Sequence, residues 1–560
     1  MELLIIGCGL AGLSAAIEGA SRGYGITLIS PYSPERAQSV MAAGGINAAL
    51  NTKGEDDSQE QHFDDTMKSG AGLSDEAAVR GLTEHAPELI RELAKEGVVF
   101  SRDEKGNPDL RYFGGQRKKR TVFSKAGIGK QLVNGLYGVM LRYCAQNKIR
   151  LIENSKFIEC IFKDGHYAGI LTEDMTTGKL SYRTSDALIV ASGGLNGLFG
   201  KTTGSSVNDG SVTASLFASG IKAANLEMIQ YHPTTIETPQ KRMLISEAAR
   251  GEGGRLFTMR DGIPWYFMED WYGERGNLMS RDVVSQWIYK VCNELNLGLD
   301  GKLQVGLDLT HLDETTVHEK LAEVTDVCKT FLHIDPLKEY IPVYPGIHYF
   351  MGGLYVDRGH RSAMPGIYAA GECACMYHGA NRLGGNSTLG AIYGGRTAAE
   401  TAGSDLHECI HADDEADDEI RRLTEKCRID ASGEKPAAFL KSLQDVMNGH
   451  MGIMRTEAGL TEAISMLTDM KKRKISYRSG HISESLAAEN LRVLAEAMCR
   501  SALERRESRG AQMRRDYPER DDVHFRKTMA ASYRNGEISV TAEEIGRVFY
   551  DSSNPDYAER

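Results

Sequence analysis

The chain has 560 residues, more than one ordinary core accommodates, so two to four domains are expected. Hydrophobic content of 41% and charged content of 26% are ordinary for a soluble globular protein. A formal net charge of -11, with no Lys/Arg stripe interleaved with aromatics, argues against a nucleic-acid partner.

The first residues, Glu2-Leu3-Leu4-Ile5-Ile6, read as a buried strand, which leaves no room for a leader peptide. No apolar run approaches the ~18 residues of a membrane helix. A cytoplasmic location is expected, with membrane contact only indirect, through partners. The ten cysteines are scattered without a C-x-x-C, so no metal site is expected, and an iron–sulfur wire would belong to another polypeptide.

The opening continues as strand, glycine turn and helix. Gly7-Cys8-Gly9-Leu10-Ala11-Gly12 follows the first strand, and a helix runs on through Ser21. In this G-x-G-x-x-G pattern Gly7 makes the tight turn, Gly9 lets backbone approach a pyrophosphate, and Gly12 lets helix and strand pack closely. The next strand, Ile26–Ile29, ends at Ser30 rather than at the usual acid. Arg117-Lys118-Lys119-Arg120 reads as a solvated turn. Asp186–Gly194 has the continuous apolar look of a central parallel strand running into glycines. From about residue 412 the composition becomes charged, and Ala437–Met447 and Ser483–Glu504 show helical apolar spacing.

Four stretches carry the chemistry: Tyr231-His232-Pro233-Thr234, Ser246–Arg255, His348–Gly353 and Gly379–Ser387. In this order they resemble the flavoprotein subunit of succinate dehydrogenase and fumarate reductase, and the resemblance runs from residue 3 to about 525. It implies an α/β chain: an FAD-binding domain of Rossmann type (1–235 and 343–411), an α+β capping domain (236–342) inserted in it, a helical domain (412–525) and a C-terminal segment (526–560). The aromatic-rich stretch around Trp265 and Trp271 falls in the cap.

The same resemblance implies the site. His232, Ser246, His348 and Arg382 would grip the carboxylates of a small dicarboxylate, and Phe113 would stack on it. Arginine suits that task because its planar fork binds carboxylates bidentately. Arg281 would deliver a proton beside the flavin, with Glu247 and Arg250 as its relay. FAD would be held by Gly7, Gly9, Gly12, Ser30, Ser39, Gly44, Gly45, Asp209, Glu372, Asn386 and Ser387. An iron–sulfur protein subunit or an external carrier would exchange electrons with it.

Two positions depart from the family. Gln38 stands where members that oxidise succinate commonly carry the histidine that tethers FAD, so non-covalent FAD and a bias to fumarate reduction are expected. Ala43 replaces the usual Gln or Glu before Gly44-Gly45, which leaves the exact substrate open. L-aspartate oxidases share the fold and two of the stretches but not Arg111-Tyr112-Phe113-Gly114-Gly115. An L-aspartate oxidase, a reductase of another unsaturated acid, and a non-catalytic FAD-containing electron-transfer subunit are the alternatives.

Overall fold

The computed structural model describes residues 1–125, 127–405 and 409–549. Its first layer is a five-stranded parallel sheet in the order Ile367–Ala369, Ala187–Val190, Glu2–Ile6, Gly25–Ile29 and Ile149–Ile152. Ala187–Val190 is buried along its whole length, as expected for a continuous apolar strand covered on both faces. Helix Leu10–Ser21 begins directly after the glycine turn, and it packs with helix Asn386–Ser404. The sequence stretch holding Arg382 and Ser387 is thereby brought next to the glycine turn.

A second, six-stranded sheet runs Arg242–Leu244, Ile229–Glu237, Ile341–Phe350, Val305–Asp308, Arg255–Arg260 and Ile263–Trp265, all antiparallel. Helices Phe267–Tyr272 and Arg281–Tyr289 close over it, and Leu256, Phe267, Val284, Ile288 and Val343 form a core separate from that of the parallel sheet. The pairing of its two long strands slips twice. Gln230 faces Tyr349 but Tyr231 faces Ile347, so His348 is the extra residue; a second slip lies between His232 and Thr235, where two residues face the single Pro345. A bulge re-aims the side chain it carries; His348 sits in the first bulge and His232 borders the second.

The spacings of 3 and 4 in the C-terminal third correspond to helices Pro436–His450 and Ile482–Glu504, joined by Asp413–Ile429 and Glu457–Met470. Their core, with Leu443, Met447, Leu467, Leu494 and Met498, includes Phe199 and Phe350. The hairpin Thr528–Arg534/Glu537–Glu543 returns to the first part of the chain and pairs with Ala223–Ala224 in a further five-stranded sheet. Residues 550–560 of the expected C-terminal segment lie outside the described residues.

One expectation is overturned. The Arg117–Arg120 run is no solvated turn: Arg120 is fully buried, with Nη2 2.8 Å from Asp57 and 3.0 Å from Asp65. Arg117, still half exposed, binds the same Asp65 at 2.6 Å. A charge enters an interior only when paired, and the partners Asp57 and Asp65 come from an earlier stretch that the local sequence pattern does not reveal.

Candidate active site

A cavity of about 910 Å³ runs between the parallel sheet, the six-stranded sheet and the C-terminal helices. That is at the upper end of ligand pockets, which span roughly 300–1,000 Å³. Gly7, Gly9, Ser30 and Ser39 line one end, with Gly44, Gly45, Asp209, Glu372 and Ser387 further along. Gly7 donates its N–H to Ile29 at 2.8 Å, and a Cβ on Gly12 would strike the Gly7 carbonyl, so the helix reaches the turn only with glycine there. The helix has no side-chain cap of its own at Gly9; instead Leu10 N–H points to Ser39 Oγ at 3.1 Å. A helix N-terminus opening on a cavity through glycines is a ready anion site.

The cradle fits an FAD. Besides the open helix end, the Ser192 hydroxyl on the wall is buried with no partner among the described residues. Glu372 sits on the same wall; burial pushes its carboxyl up to about 7 although Phe350 N–H donates to it at 3.1 Å.

At the other end lies a buried polar cluster. Glu247 precedes the short helix Ala248–Gly251, and Arg281 opens helix Arg281–Tyr289. Glu247 Oε2 accepts from Arg281 Nε at 2.9 Å and Nη2 at 2.7 Å, while Oε1 accepts from Arg250 Nη2 at 3.0 Å and from Gly114 N–H at 3.1 Å. Arg281 Nη1 and Arg382 Nη2 both donate to Gln230 Oε1, each at 3.0 Å. The Arg382 guanidinium also lies 4.5 Å from the Tyr349 ring centre. The rings of His232 and His348 stand edge to face, 5.2 Å apart. His348 Nδ1 is 2.7 Å from Thr203 Oγ1, and His232 Nδ1 is 3.3 Å from Thr234 N–H.

Burial and the charge of Arg281 hold both imidazoles well below the usual histidine range, so they are neutral at physiological pH. Burial pushes the Glu247 carboxyl up, but Arg281 and Arg250 more than offset it and hold it below the ordinary carboxylate range. Burial, with Arg281 beside it, brings Arg382 down to about 9; burial lowers Arg250 as well. His232 Nε2 and Arg382 Nε are buried without a partner among the described residues. A group desolvated and unsatisfied in this way costs ~1–3 kcal/mol, which a bound hydrogen-bonding partner would recover.

Of the residues read from the sequence, His232, Ser246, Glu247, Arg281, His348 and Arg382 line the cavity together, and Phe113 joins them beside Gly44. Three stand off the wall. Gly12 and Arg250 lie one step behind it. The side chain of Asn386 is spent on Asn47 (2.7 Å), His62 (3.0 Å) and Thr66 (2.9 Å), an internal web bracing the turn before Ser387. Gln230, Asp282, Asn381 and Thr203 escaped the sequence reading. Gln230 had a signal: it stands two residues before His232, the spacing that shares one face of a strand.

Fold, cradle and cluster together define an FAD-dependent oxidoreductase of the α/β class. The chain matches the family described as FAD binding domain over residues 2–388 and Fumarate reductase flavoprotein C-term over residues 440–550. It is 36% identical to the succinate dehydrogenase flavoprotein subunit of Bacillus subtilis (strain 168), covering 95% of this chain and 94% of that one. With the fumarate reductase flavoprotein subunit of Haemophilus influenzae the identity is 31%, over 95% and 92%. The solved structure of a mutant E. coli quinol fumarate reductase FrdA superposes with a TM-score of 0.88 at 28% identity, covering 99% and 98%. The chain belongs to the succinate dehydrogenase/fumarate reductase flavoprotein family. Among the described residues no helix is long and apolar enough to cross a membrane.

Proposed function

We propose that the chain interconverts fumarate and succinate and works chiefly as a fumarate reductase. The charge of the buried cluster carries this reading. Three guanidinium groups (Arg250, Arg281, Arg382) face one carboxylate (Glu247) with both imidazoles neutral, so two positive charges remain to meet a small dianion. Arg382 and His348 take one carboxylate, and His232 and Ser246 the other. Thr203 Oγ1–H donating to His348 Nδ1 leaves the His348 Nε2–H to donate, while His232, with Nδ1 3.1 Å from the Thr234 carbonyl, turns an unpaired Nε2 to the ligand. The Phe113 ring closes the cavity at Gly44. Residues 236–342 act as the cap that seats Arg281 over the cavity.

Reduced FAD, when bound, supplies the hydride. The proton comes from Arg281, whose guanidinium reaches the cavity while Glu247 Oε2 holds Nε and Nη2. An arginine is a weak acid. Glu247 returns the proton at once through the bonds already made. Arg250, 3.0 Å from Oε1, hands protons to Glu247 from behind.

Gln38 gives the direction. Its amide oxygen accepts the Ser205 N–H, and an amide is no nucleophile, so FAD is held without a covalent bond. Without an electron-withdrawing histidyl link the reduced cofactor is the stronger hydride donor. Electrons arrive from an iron–sulfur protein subunit or an external carrier, in keeping with relatives named as flavoprotein subunits. The test is anaerobic turnover with reduced viologen as donor, together with oxidation of L-aspartate: fumarate should be reduced and L-aspartate left untouched. The opposite pattern overturns the reading.

A further inference from the structure

We infer that Asp282 is a positioning residue: its carboxylate sets the orientation of an amide relay, Asn381 and then Gln230, that holds Arg281 and Arg382 for the dicarboxylate. The inference rests on the functional reading above and deepens it, because none of these three residues is needed to explain charge complementarity.

The relay is continuous. Asp282 Oδ1 accepts from Asn381 Nδ2 at 2.9 Å, and Asn381 Oδ1 accepts from Gln230 Nε2 at 2.7 Å. Gln230 Nε2 donates also to the Arg382 carbonyl at 2.8 Å, and its Oε1 receives both guanidinium groups at 3.0 Å. Asn381 and Gln230 are buried, so water cannot substitute for a lost partner.

An amide is nearly symmetric in shape, and a half-turn exchanges its donor for its acceptor. The order is fixed from both ends: Asp282 accepts from Asn381 Nδ2, while the Arg382 carbonyl accepts from Gln230 Nε2 and the two guanidinium groups can only donate to the Gln230 oxygen. By accepting from the Asn381 NH₂, Asp282 leaves the Asn381 oxygen for Gln230. Gln230 must then present NH₂ to Asn381 and its oxygen to the two cations. A reversed relay would aim an NH₂ at two guanidinium groups, neither of which can accept. The chain geometry tightens the ring, since Asp282 directly follows Arg281 and Asn381 directly precedes Arg382. The start of helix Arg281–Tyr289 is thereby pinned to the Gly379–Gly385 stretch at the point where the arginines converge.

A different role is open to an acid in the first turn of a helix, namely a favourable interaction with the helix dipole. Swapping the two side chains separates the roles. Asp282→Asn alone lets the Asn381 amide turn over, which sets its NH₂ against the Gln230 NH₂; kcat/KM for the dicarboxylate should fall about 10–100-fold, with bound FAD per chain unchanged by flavin absorbance. In Asp282→Asn/Asn381→Asp the amide at 282 donates to a carboxylate at 381, which accepts the Gln230 NH₂. The order is restored, and kcat/KM should return to within about threefold of wild type. The dipole role predicts no such rescue. Full activity of the single variant, or a double variant no better than the single one, would overturn the inference. If Asp282→Asn fails to hold FAD, the double variant decides: recovered FAD and turnover uphold the relay, and persistent loss rejects it. Wild-type fumarate turnover judges the functional reading separately, and the relay is read on whichever dicarboxylate the wild type binds and converts.

Discussion

Arg281 and Arg382 donate to a single oxygen, Gln230 Oε1, each at 3.0 Å. Two like charges share one neutral acceptor, while Glu247 pairs with Arg281 and Arg250 and makes no bond to Arg382. Arg382 therefore keeps an unspent positive fork, with Nε unpaired among the described residues.

Arg382→Lys replaces that fork by a point charge. The dissociation constant for malonate, followed by flavin absorbance, should rise about 10–100-fold, the loss expected for one or two charge-assisted hydrogen bonds. FAD content should stay at the wild-type level, because Gly7, Ser39 and Glu372 are untouched. Unchanged malonate affinity would remove Arg382 from the carboxylate site.

Acid or detergent denaturation should release the whole flavin complement as free FAD. Gln38 is engaged with Ser205 and offers no nucleophile. A protein band fluorescing under ultraviolet light after denaturing electrophoresis would contradict this.

Glu372 predicts a pH effect on the apoprotein. Burial raises its carboxyl from an ordinary value near 4.5 to about 7. A raised folded-state value means the stability present below about 4.5 is lost as pH rises through about 7. The contribution is on the order of 3 kcal/mol. Melting temperatures of FAD-free protein should therefore fall more steeply across this window for wild type than for Glu372→Gln. Parallel slopes would show that Glu372 ionises freely.

Much of this arrangement was legible in the sequence. The glycine turn and the central strand follow local rules, so their places could be read directly. The four polar stretches were recognisable because each packs several chemistry-bearing residues into a few positions. What stayed hidden depends on contacts between distant segments. The Asn386 amide faces Asn47, His62 and Thr66, partners that lie more than 300 residues away in the chain. Arg120 looked solvated, but Asp57 and Asp65 bury it. The bulges at His348 and beside His232 arise from strand pairing across more than a hundred residues, and no local pattern announces them.

The C-terminal part supports the site through a buried ionic web that the sequence also concealed. Arg505 is fully buried and pairs with Glu227 at 2.7 Å and Glu507 at 3.1 Å. Glu227 lies three residues before Gln230. Arg505→Leu would leave two buried carboxylates short of a partner, a loss of ~3–5 kcal/mol. Thermal unfolding should drop by several degrees, and replacement of Glu227 together with Arg505 by apolar residues should recover part of it. Wild-type stability in Arg505→Leu would show the web to be idle.

The central claim is that Arg281 delivers the proton, and fumarate reduction by Arg281→Ala with reduced viologen as donor tests it most directly. The variant should bind FAD and still take up malonate, because His232, His348 and Arg382 hold the ligand. Turnover should fall by ~10²–10⁴-fold, the usual cost of a missing general acid. Near-normal fumarate turnover by Arg281→Ala would mean that the proton comes from elsewhere and that the Arg281–Glu247–Arg250 chain is structural.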